Sequence, residues 1–199
     1  MISPELLAVT SLKISWPWYI VRASGIIAII LTLLLMLSGI GMVTGMTYRF
    51  FEPLKAWTLH KAIATALSFC VLAHVGFLLI DKFAPYNLAN VLVPFSVHYE
   101  HSHVFGLSLG SFYNALGIIA AYLLIIIVLS SLYFIDSQKK LWKYLHYLSY
   151  PFMLLVFLHT LFLGTDFKHG ILRYIWIAFG VLLIIGLIAR LRRAWTINS

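Results

Sequence analysis

Four histidines interrupt long apolar stretches of this chain: His60 and His74, fourteen residues apart, and His146 and His159, thirteen apart. Burying an imidazole in hydrocarbon is costly unless it finds a partner. Two helices carrying a matched imidazole at each of two depths suggest a shared partner. A haem iron with two axial imidazoles fits, each helix supplying one ligand and the porphyrin filling the apolar gap. Zinc fits poorly, because a tetrahedral site needs four clustered ligands. A single histidine in a membrane helix ordinarily hydrogen-bonds to a neighbouring helix. A relay of protonatable side chains is the competing reading for the set as a whole.

The elements that position these histidines are membrane spans. The chain has 199 residues, 62% hydrophobic and 10% charged, whereas about a quarter of the residues of soluble domains are charged. No charged residue occurs in 23–48, 62–80, 104–135, 144–165 or 174–189. A spanning helix needs roughly 20 apolar residues. The last block is shorter and spans if Arg173 and Arg190 snorkel. The fold expected is an all-α polytopic bundle of five transmembrane helices: about 18–46, 54–81, 112–135, 141–163 and 171–191. A sixth span at the N-terminus is the alternative. Residues 1–17 read as an interfacial segment ending at the aromatic anchors Trp16, Trp18 and Tyr19. Residues 192–199 read as a basic tail.

The net charge of +8 follows topology. Arg49, Lys55, Lys61, Lys139, Lys140, Lys143, Arg190, Arg192 and Arg193 fall on one side of a five-span chain, which the positive-inside rule makes the cytoplasm. The N-terminus is then outside. Helices 2 and 4 run in the same sense, so His60 and His146 share the inner level and His74 and His159 the outer. At 1.5 Å per residue the levels are about 20 Å apart. Fourteen residues are close to four turns, so His60 and His74 share a face. Thirteen place His159 about 140° from His146 in an ideal helix, and Pro151 between them is expected to adjust the facing. Cys70, the single cysteine, forms no intrachain disulfide.

The segment "LWKYLHYLSYPFMLLVFLHTLFLGTD", with W-x3-H…Y…H…G-x-D, resembles the ferric-reductase-like transmembrane domain. That domain is shared by ferric reductases, NADPH oxidases and the haem-binding subunit of methionine sulfoxide reductase systems. The His-x13-His and His-x12-His spacings, "NALGIIAAYLLIIIVLSS" and "YIVRASGIIA" add to the likeness, which covers about 18–190. The resemblance implies a transmembrane haem domain with two haems b, one haem being the alternative count. His60 and His146 would hold the inner group, and His74 and His159 the outer. It also puts Arg22 near the outer haem, to pair with a propionate or stabilise a reduced acceptor; an interface anchor explains Arg22 equally well. Ferric reductases and NADPH oxidases continue into a domain for FAD and NAD(P)H. Eight residues follow Leu191 here, so FAD or FMN and NAD(P)H are expected only on a partner. "GIGMVTG" at 39–45 follows no strand and reads as small residues for helix packing.

Other polar residues carry weaker signals. His98, Glu100, His101 and His103 in the outer loop are a candidate metal site, against a default of solvated loop. Lys61 and Lys143 lie near the inner histidines, where positive-inside bias alone would put them. Asp166 reads as a turn cap and His169 as a surface residue. Trp57, Trp142, Tyr147 and Phe157 read mainly as packing. No Ser-His-Asp set or carboxylate pair suggests hydrolysis, and no catalytic residue is assigned. The function expected is a cytochrome b of a prokaryotic inner membrane, passing electrons from a cytoplasmic flavoprotein or quinol to an outer oxidoreductase or a ferric or cupric complex. The alternative is a non-haem transporter or proton conductor. No nucleic acid partner is expected.

Overall fold

Uncharged apolar runs in lipid must pair every backbone N–H and C=O internally, and a helix does so within one segment. The computed structural model describes residues 4–82, 86–97, 103–104, 107–108 and 110–198. Its helices are α1 (Pro4–Thr44), α2 (Pro53–Leu78), α3 (Leu88–Leu92), α4 (Gly110–Tyr133), α5 (Lys139–His146), α6 (Ser149–Leu163) and α7 (Ile171–Asn198). A two-residue hairpin, β1 (His103–Val104) with β2 (Leu107–Ser108), precedes α4.

Five stretches are long and apolar enough to cross a bilayer: Trp16–Thr44, Pro53–Leu78, Gly110–Tyr133, Lys139–Leu163 and Ile171–Ile188. The chain is an integral membrane protein, and among the described residues there is no sixth span. The terminal helices run further than the sequence suggests. Residues 5–16 contain neither glycine nor proline, and α1 is continuous from Pro4 through Pro17. At the other end, α7 continues through 192–198.

The fourth span is broken in two. Pro151 has no N–H to offer the Tyr147 carbonyl, which accepts from Tyr150 N instead at 3.1 Å. Leu148 N bonds to Leu145 O at 3.1 Å, another three-residue step. Such steps turn the chain 120° per residue rather than 100°, which supplies part of the rotation that an ideal helix lacks between His146 and His159.

The spans alternate in direction. One face, here the basic face, therefore gathers Arg49, Lys55, Lys139 and Lys140 at the ends of α1, α2 and α5. At its entry to α2, Glu52 pairs with Lys55 at 3.2 Å and Pro53 takes the first helical position. At the opposite face Gly170, with φ of +81°, provides the left-handed turn that starts α7.

Helix α1 packs along α2, and α4 along α6, while α2 and α6 scarcely touch. One apolar core joins Ala28, Leu67, Ala120, Leu124, Ile127 and Phe152 from α1, α2, α4 and α6. A second joins Ile29, Leu33 and Met153 to Phe167, Trp176 and Leu183. Outward positions such as Phe69 and Leu72 are exposed, as lipid-facing residues of a membrane bundle are.

Candidate functional site

Helix α2 carries His60 and His74, α6 carries His159, and His146 ends α5 just before it. At the basic end, the rings of His60 and His146 face one another, centroids 6.4 Å apart and planes at 51°. A tryptophan from the preceding turn of the same helix flanks each. Trp57 lies nearly parallel to His60 at 6.3 Å, and Trp142 packs against His146 at 5.2 Å. Lys61 lies over the Trp57 ring, its Nζ 5.7 Å from the centroid, so packing with the indole describes Trp57 as the sequence suggests.

At the opposite end, His74 and His159 line one cavity of about 270 Å³ between α1, α2, α4 and α6. Its walls are mostly apolar, with Ala28, Leu124 and Phe152 on the side toward mid-membrane. Arg22, Asn90, Asn114 and Lys168 are among its polar residues. The Asn114 side chain is buried, and its Nδ2 has no hydrogen-bond partner among the described residues.

The hydrogen bonds of His60, His74 and His159 fix their tautomers. His74 Nδ1 lies 2.9 Å from the Val21 carbonyl oxygen, and His159 Nδ1 lies 2.8 Å from that of Tyr113. A carbonyl only accepts, so both Nδ1 atoms carry hydrogen, and each Nε2 of a neutral ring is left with its lone pair. His60 Nδ1 meets Ser38 Oγ at 2.8 Å. Ser38 also bonds to the Leu35 carbonyl at 2.8 Å, which takes its hydroxyl hydrogen and makes Oγ the acceptor for His60. Ser131 donates to Ile127 O at 2.7 Å, accepts from Trp142 Nε1 at 3.2 Å, and lies 3.5 Å from His146 Nδ1.

Two glycines make room for these rings. A Cβ at Gly117 on α4 would lie 2.6 Å from His159 Nδ1, and one at Gly25 on α1 would lie 3.1 Å from His74 Nδ1. In the "GIGMVTG" segment Gly39 faces His60, and Gly41 packs so close to Thr47 that a side chain would overlap it. Gly39 thus has the helix-packing role expected of the segment, while Gly41 packs against the turn that follows α1.

Arg22 and Asp166 close the end opposite the basic face in a way the sequence does not suggest. Arg22 Nε donates to Asp166 Oδ2 at 3.1 Å, and its Nη2 donates to Oδ1. The carboxylate thus ties α1 to the turn after α6, and it also bonds within that turn, to the Thr165 side chain and to its own backbone. This hydrogen bond to the guanidinium holds the Asp166 carboxyl below the usual carboxylate range. Arg173 secures the same turn from α7, donating to the carbonyls of Leu161 and Phe167 at 3.3 and 3.2 Å.

All four predicted histidines are brought together in their two pairs, and Arg22 lines the cavity of the second. His98, Glu100 and His101 lie outside the described residues. His103 is described only as backbone of β1, so the outer metal site falls outside the structure's reach. Among the described residues no three His, Cys, Asp or Glu side chains cluster as metal ligands. Sequence reasoning missed Ser38, Ser131, Asn114, Gly25 and Gly117. Small and hydroxyl residues inside spans were the available signal, since they mark close helix approach and interhelical bonding.

Residues 24–157 match the family described as ferric reductase like transmembrane component. The match takes in His60, His74 and His146 and ends two residues before His159, with Arg22 just outside its start. No curated protein and no solved structure is significantly similar to the chain.

Proposed function

The chain belongs to the ferric reductase like transmembrane component family, and from that premise we propose that it is a membrane cytochrome b carrying electrons across the bilayer through two haems b. His60 and His146 would hold the inner haem, and His74 and His159 the outer. The basic face is cytoplasmic by the positive-inside rule, with the N-terminus outside and the C-terminus inside, in a prokaryotic inner membrane. The donor is a cytoplasmic flavoprotein or a quinol, with FAD or FMN and NAD(P)H on that partner. The acceptor is an outer oxidoreductase or a ferric or cupric complex.

The observation that carries this reading is the tautomer of the outer pair. Main-chain carbonyls hold both Nδ1–H groups, which leaves two Nε2 lone pairs at one apolar cavity. Metal-ligating histidines characteristically make this second bond, which orients the ring and raises its basicity. The inner pair fits as well. With metal–nitrogen bonds of about 2 Å, two imidazoles on opposite sides of one ion have centroids roughly 6 Å apart, close to the 6.4 Å of His60 and His146.

A bound haem b supplies a one-electron iron couple whose potential follows its ligands, hydrogen bonds and burial. The protein's own part is to hold four ring planes, exclude water and fix the depth of the two sites. Leu67, with no exposed surface, lies on α2 between His60 and His74, and the buried Phe152 lies on α6 between His146 and His159. These apolar side chains keep the levels apart. They also count against a proton relay, which needs a hydrogen-bonded path between the levels. Arg22, already neutralised by Asp166, keeps further N–H groups at the cavity for a propionate or an anionic acceptor.

Haem per chain, with oxidised and reduced spectra of the purified protein, tests the proposal. Two low-spin b haems in the wild type are expected, with one lost in His74→Ala and the other in His146→Ala. A colourless protein made with ample haem supply would overturn the proposal in favour of the relay.

A further inference from the structure

We propose that Ser38 is a positioning residue for His60, setting the tautomer and donor strength of one inner axial ligand and, through it, the reduction potential of the inner haem. The proposal rests on the two-haem reading above.

The four histidines are not supported alike. His74 and His159 donate to main-chain carbonyls, which no side-chain substitution at Val21 or Tyr113 removes. His146 lies 3.5 Å from Ser131, at the outer limit of a hydrogen bond. Ser131 is moreover engaged by Trp142 Nε1. His60 has its Nδ1 held by one short bond to a side chain, the 2.8 Å contact with Ser38 Oγ. Ser38 in turn is oriented by the Leu35 carbonyl one turn back on α1, which takes its only hydroxyl hydrogen. The oxygen can therefore act toward His60 as an acceptor alone.

An acceptor on Nδ1–H makes the imidazole a better electron donor at Nε2. A stronger donor favours the oxidised metal and lowers the potential. Removing the Ser38 hydroxyl weakens the ligand and raises the potential. It also frees the imidazole to move its hydrogen to Nε2, a tautomer that cannot ligate through that nitrogen. Neither effect reaches the outer pair, whose support is main-chain.

The test is a spectroscopic redox titration of purified, haem-loaded protein, comparing wild type, Ser38→Ala and Ser38→Thr. In Ser38→Ala one midpoint is expected to rise, by up to tenfold in the reduction equilibrium, a tenfold change being 59 mV for one electron. The other midpoint stays in place. Ser38→Thr keeps a hydroxyl and is expected to retain the wild-type potential. If Ser38→Ala instead loses the inner haem while Ser38→Thr holds both, the hydroxyl is again the cause and the proposal stands. Two haems with unmoved potentials in Ser38→Ala would overturn it, as would equal damage in both variants. A wild type without haem would overturn the two-haem reading itself.

Discussion

A side chain at Gly117 cannot coexist with the ring of His159: its Cβ would lie 2.6 Å from the Nδ1 that donates to the Tyr113 carbonyl. Gly117→Ala must displace either the imidazole or α4. Overpacking of this kind costs about 1–3 kcal/mol. The expected outcome is a lower melting temperature with loss of the outer haem and retention of the inner one. At Gly25, where the approach to His74 is 3.1 Å, alanine should act in the same direction but less strongly. Spectra and haem content of the two variants, side by side, check this. Gly117→Ala with both haems and wild-type spectra would show that the close approach does not matter to ligation.

Asn114 presents a different balance. Its Nδ2 is buried at the outer cavity with no partner among the described residues, and an unsatisfied buried donor costs about 1–3 kcal/mol. Asn114→Leu should therefore leave the haem-free protein as stable as wild type or more so. If the amide serves a polar group of whatever fills the cavity, the same variant should lose the outer haem more readily. Melting temperature without haem and haem retention on dilution separate the two effects. A variant weakened in both would mark Asn114 as ordinary packing.

The ion pair between Arg22 and Asp166 predicts a pH dependence with a definite sign. The folded-state pKa of Asp166 is depressed by its hydrogen bond to Arg22. Its contribution is therefore complete above the ordinary aspartate value of about 4 and is lost as pH falls through the lower folded value. Both side chains keep some exposure, 38% and 21%, so the pair is worth no more than about 1 kcal/mol. Thermal melts of wild type and Asp166→Asn should run parallel from pH 5 to 7. Below about pH 4 the difference between them should shrink. A difference that grew on acidification would contradict the assignment.

Much of this organisation is legible in the sequence, for reasons that also explain the rest. Uncharged runs of about spanning length declare the five helices, because in lipid a single apolar segment can satisfy its own backbone only as a helix. The paired spacings on two helices of equal sense declare the histidine levels, because helical rise is fixed. Pro151 announces a break in the fourth span, but not that it falls at Tyr147 and Leu148. The partners of the ring nitrogens were not legible. Val21 and Tyr113 act through carbonyls that every residue has, and Ser38 lies on a different helix from His60. Asp166 pairs with a residue 144 positions away, and nothing local distinguishes that from a turn cap.

The most direct test of transmembrane electron transfer places the haem-loaded protein in sealed vesicles with ferricyanide trapped inside and a membrane-impermeant reductant outside. Wild-type vesicles are predicted to reduce the trapped ferricyanide, and vesicles with His74→Ala to do so far more slowly. Wild-type protein that retains two haems yet reduces it no faster than protein-free vesicles would contradict the account.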